Sequence, residues 1–135
     1  MKIFFKNVIV AALLISVLFL NIFMWKERKS LHTRTEEIKW EMHINQLISG
    51  RNALFLANSL IRTGKYEDVV MKIRKNEAEK IFVVLEWMSF HESHHDNFPF
   101  EKIESLRDDF EKGDPWEATD NLSLLIKELS DLRAQ

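Results

Sequence analysis

The chain of 135 residues has no cysteine. That excludes a disulfide scaffold, a thiolate-ligated zinc or iron–sulfur site, and a thiol nucleophile. It has only three glycines and two prolines, too few for a collagen-like, linker-like or turn-rich all-β chain. No glycine-rich loop that would cradle a phosphate is present, and no serine- or carboxylate-based catalytic motif stands out. Beyond residue 29 acidic side chains outnumber basic ones, so the bulk of the chain lacks the positive field that draws in polyanions, and no nucleic-acid partner is expected. At this length the chain accommodates one ordinary domain and an appendage.

What the chain does have is hydrophobicity, and it is unevenly spread. From Val8 to Trp25 no charge interrupts the sequence, and Ser16 and Asn21 are the only strongly polar side chains. As a helix this run would rise about 27 Å, close to the roughly 30 Å of a bilayer's hydrocarbon core. Trp25 followed by Lys26, Arg28 and Lys29 has the form of an interfacial aromatic beside a charged stop. The residues after Asn21 offer no small pair for signal cleavage, so the run reads as an uncleaved single-pass anchor with the lipid bilayer as a partner. Basic residues flank it on both sides. A short basic N-terminus and a cysteine-free remainder favour an extracytoplasmic C-terminal domain. The expected organisation is a basic N-terminus over 1–7, an anchor over 8–25, a juxtamembrane segment over 26–33 and a helical domain over 34–135.

Beyond the anchor, apolar residues recur with helical spacing. Thr33 and Glu36 have the capping-box pattern, and Trp40, Ile44, Leu47 and Ile48 follow as a stripe, with Leu54, Phe55, Leu60 and Ile61 after Gly50. Gly64 suits a helix stop. Tyr66, Val69, Val70 and Ile73 open the next stripe, and Ile81, Val84, Leu85 and Met88 continue it. A break or kink is expected between them, where Asn76 and Glu79 resemble a fresh helix start. Pro99 suits a first helical turn ahead of Ile103, Leu106 and Phe110. Asp114-Pro115-Trp116-Glu117 supplies cap, first-turn proline and third-position glutamate ahead of Leu122, Leu125, Ile126, Leu129 and Leu132. The expectation is all-α: a transmembrane helix, then a small antiparallel bundle of about four helices over roughly 34–63, 66–95, 99–112 and 115–133.

One string has a chemical character: His91-Glu92-Ser93-His94-His95-Asp96. On a helix, His91, His94 and His95 converge on one face, and zinc, copper and nickel favour such nitrogen donors. Glu92 and Asp96 would support them from outside the ligand set. The string also satisfies H-E-x-x-H literally, with Glu92 at the general-base position. A zinc hydrolase would need a third ligand and a water-excluding cleft. The plainer reading is that polar residues end the helix, with histidines favoured at its negative end. The functional expectation is therefore a non-enzymatic protein-interaction or adaptor module, recognising a protein partner or a second copy of itself, with no resident cofactor. A divalent-metal domain built on His91, His94 and His95 is the alternative, and a ligand-sensing domain working with a signalling partner is a further one.

Overall fold

The computed structural model describes the backbone of residues 2–64, 67–92 and 96–133, and the side chains of these residues from Ala12 onward. All regular structure among them is helical: α1 (Lys2–Ile61), α2 (Glu67–His91), α3 (Phe100–Lys112) and α4 (Pro115–Leu132). The chain divides into two compact units, Met1–Lys39 and Trp40–Gln135. Residues of α1 belong to both.

In the first unit, helix extends through Thr33, where the sequence predicts a new start. The Thr33 hydroxyl donates to Lys29 O at 3.0 Å and the Thr35 hydroxyl to Leu31 O at 2.8 Å, the bonds of threonines inside a helix rather than at its cap. Glu36 meets Lys39 one turn on, at 3.0 Å. Ser16 and Asn21 likewise bond back to Ala12 O and Val17 O, each at 2.9 Å.

The expected anchor requires correction. Over the described residues, no helix is long and apolar enough to cross a membrane, which overturns the reading of the chain as a single-pass membrane protein with an extracytoplasmic domain. The side chains of Val8, Ile9, Val10 and Ala11 lie outside the described residues. Towards the C-terminus, Lys26, Glu27, Arg28 and Lys29 end the apolar run directly after Trp25.

The second unit is a helical bundle whose contacts fix its directions. Gly50 of α1 lies against Ile81 of α2, and His43 against Trp87. Phe82 and Glu86 of α2 meet Phe110 and Arg107 of α3. Asp109 and Lys102 of α3 meet Asn121 and Glu128 of α4. Asn58 and Trp40 of α1 meet Thr119 and Arg133 at the two ends of α4. In each pair one number rises as the other falls, so every neighbouring pair is antiparallel and the four helices close into a ring.

Inside the ring lie Trp40, Ile44, Leu47 and Leu54 from α1, Ile81, Leu85 and Met88 from α2, Ile103 and Leu106 from α3, and Leu122, Leu125, Ile126 and Leu129 from α4. Phe98, just before α3, plugs the core from the turn. Two stripes depart from expectation. Phe55 and Leu60 on α1, and Val69 and Ile73 on α2, are exposed, while Leu54, Ala57 and Val70 take the inner positions. Tyr66 lies outside the described residues.

Helix ends follow local chemistry. Past α1, Gly64 sits at φ 65°, a left-handed conformation that costs glycine little. Asp114 caps α4 through Oδ1, which accepts from the backbone N–H groups of Trp116 at 2.7 Å and Glu117 at 3.2 Å. The expected break near Asn76 is absent: α2 runs unbroken through it, with Asn76 exposed and Glu77 paired to Lys80 one turn on at 2.6 Å.

Candidate functional site

The C-terminal end of α2 carries the histidine string. His91 is the last residue of the helix, so Glu92 and Asp96 lie in turns and do not have the four-residue helical spacing assumed for them. His94 and His95 lie outside the described residues. The His91 ring stacks on Trp87 at 3.7 Å between centroids, and its Nδ1 donates to Trp87 O at 2.9 Å. His43 of α1 packs near the same indole at 4.1 Å, tilted by 41°. Trp87 thus contacts two imidazoles, one from α1 and one from its own helix. With Nδ1 committed as a donor, neutral His91 keeps a lone pair only on Nε2.

Glu92 turns towards α4, where Arg133 donates to its Oε1 at 2.6 Å. The Arg133 guanidinium also lies over the ring of Trp40, 4.9 Å from its centroid. Asp96 is exposed. Among the described residues, no three His, Cys, Asp or Glu side chains are grouped so as to hold a metal ion.

A second feature lies between α2 and α3, a cleft of about 790 Å3. Met71, Phe82, Phe110 and Pro115 supply apolar wall, and Phe82 and Phe110 meet edge-on with centroids 5.7 Å apart. Arg107 lies over Phe82 and is neutralised by Glu86 at 2.5 Å. Arg74 is different. Among the described residues its buried Nε has no hydrogen-bond partner, and its Nη1 donates to the sulfur of Met71, at 3.5 Å. Burial lowers the Arg74 pKa from its ordinary value, and the charge of Asp114 opposes the shift. Arg74 is not among the residues the sequence singles out. Its one signal was a position four residues after Val70 and seven before Ile81, on the buried side of α2.

A third feature is a polar joint inside the bundle. Asn58, 1% exposed, donates through Nδ2 to Pro115 O at 2.9 Å and Thr119 Oγ1 at 3.1 Å, tying α1 to the first turn of α4. Its Oδ1 has no partner among the described residues.

In the first unit the described apolar run lies bare. Leu14, Leu18 and Trp25 are 61%, 62% and 67% exposed, and the neighbouring large apolar side chains from Leu13 to Met24 are exposed too. They occupy every side of the helix. No family model, no curated protein and no solved structure matches the chain.

Proposed function

We propose that the chain is a non-enzymatic interaction module whose partner is a second copy of itself. The observation that carries this reading is the exposed apolar run of α1, Leu13 to Trp25. A helix that is apolar on all sides is stable when enclosed by other apolar surface, and monomeric proteins in water rarely leave so much of it uncovered. Its two polar side chains, Ser16 and Asn21, both bond to their own helix, so they offer little directional recognition of a foreign surface. An identical helix has the matching length and character, and closed self-association is the commonest form of oligomer.

The absence of native cysteine makes a direct test available. Single cysteines placed in turn along residues 13–24 of the full chain are oxidised, and disulfide-linked dimer is quantified at each position. Specific pairing of two helices gives yields that rise and fall every three to four residues. Uniform yields, or none while the chain sediments as a monomer, would overturn the proposal.

A further inference from the structure

We propose that the cleft between α2 and α3 binds a small amphipathic monocarboxylate, with the Arg74 guanidinium taking the carboxylate and Met71, Phe82 and Phe110 enclosing the apolar tail. This goes beyond self-association and does not rest on it.

Three observations converge. The first is size: about 790 Å3 falls within the roughly 300–1,000 Å3 typical of small-molecule sites. The second is the unused donor. Arg74 Nε is buried against the cleft wall without an acceptor among the described residues, and a thioether sulfur is a weak substitute for one. Asp114, the acidic group that acts on Arg74, holds two backbone N–H groups of α4 through Oδ1. By contrast Arg107, on the opposite wall, is already paired with Glu86 and laid on Phe82. Arg74 Nε thus lacks an acceptor among the described residues, and a planar carboxylate matches the guanidinium fork.

The third is charge around the rim. Glu79 and Glu111 are exposed at the cleft edge beside Lys75. These carboxylates disfavour a dianion such as a phosphate ester, whereas a monoanion meets Arg74 with less repulsion. Aromatic and thioether walls then select a hydrocarbon body over a sugar or nucleotide.

The test is titration of the isotopically labelled full chain with octanoate, followed by NMR and calorimetry, with octan-1-ol and octylammonium in parallel. Saturable shifts centred on Ala78, Phe82, Val83 and Phe110 are expected for octanoate, with about tenfold weaker binding of the alcohol and of the amine. Arg74→Met should weaken octanoate by about tenfold while the chain remains folded, since the substitution also removes the unpartnered donor. Should Arg74→Met fail to fold, Arg74→Lys keeps the charge without the fork and should also bind more weakly; Lys102→Met, outside the cleft, should bind as the parent does. Equal affinity for the three probes, undiminished binding by the Arg74 variants, or shifts confined to residues 13–25 would each overturn the proposal. The cysteine scan reads self-association separately, so the two readings fail independently.

Discussion

At the scale of single residues, Gly50 shows how a position can be explained only by its neighbour across the bundle. A glycine within a helix costs up to about 1 kcal/mol relative to alanine. Here an added Cβ would stand 2.8 Å from Ile81 Cγ1 and 3.0 Å from its Cδ1, closer than packed atoms approach. Glycine is what lets α1 and α2 come together at that level. Gly50→Ala should therefore destabilise the fold by about 1–2 kcal/mol, overpacking outweighing the gain in helix propensity. Urea denaturation reads the loss. In an Ile81→Ala background the same substitution should cost much less, because the clashing atoms are gone. Asn58 illustrates the converse. Its burial is legible only from the three-dimensional contacts that bring Pro115 and Thr119 to it from α4. In the sequence it is one polar residue beside Ala57 and Ser59.

At the scale of elements, the ends of α3 and α4 were readable because the chemistry is local. Asp114 and Pro115 start α4 where the sequence predicts, and the cap bonds to Trp116 and Glu117 are present. Asp114→Ala should cost about 1 kcal/mol, seen as a lower Tm, while Asp114→Asn or Asp114→Ser should retain most of the stability. Signals of the same kind misled at Thr33 and Asn76. Both residues have cap chemistry, yet each lies within a helix, Thr33 bonded back to Lys29 and Asn76 exposed on unbroken α2. A side chain able to cap starts a helix only where the preceding backbone leaves the helical conformation, and no glycine or proline forces that at either place. The phase of the stripes was similarly underdetermined. At residues 54–61 and 69–73 apolar side chains occupy more than one face, so periodicity alone did not say that Phe55, Leu60, Val69 and Ile73 would point outward.

At the scale of the molecule, the second unit is closed by contacts between residues far apart in sequence. Arg133, just past α4, reaches Glu92 beyond α2 and lies over Trp40 on α1, so one side chain joins three parts of the ring. With Glu92's side chain only 12% exposed, this pair is better shielded than the other ion pairs among the described residues. Arg133→Ala should lower stability by about 1 kcal/mol. Arg133→Met keeps the stem over Trp40 and should recover part of that, and raising the salt concentration should narrow the gap between Arg133 and Met. Thermal unfolding of the three chains at two ionic strengths checks both expectations.

The primary structure alone determined the all-helical class, the limits of α3 and α4 to within a residue, the start of α2 though not its end at His91, and most of the core, including Leu47, Leu85, Leu106, Leu122 and Leu129. These depend on propensity, capping and apolar spacing, which act within a few residues. The tertiary arrangement alone decided the rest: that Gly50 is a contact, that Arg74 Nε has no acceptor among the described residues beside a cleft, and that His91 lies on Trp87. Each of those depends on which faces of separate helices meet, or on how a side chain lies once they have met. That is a property of packing, which no local pattern encodes.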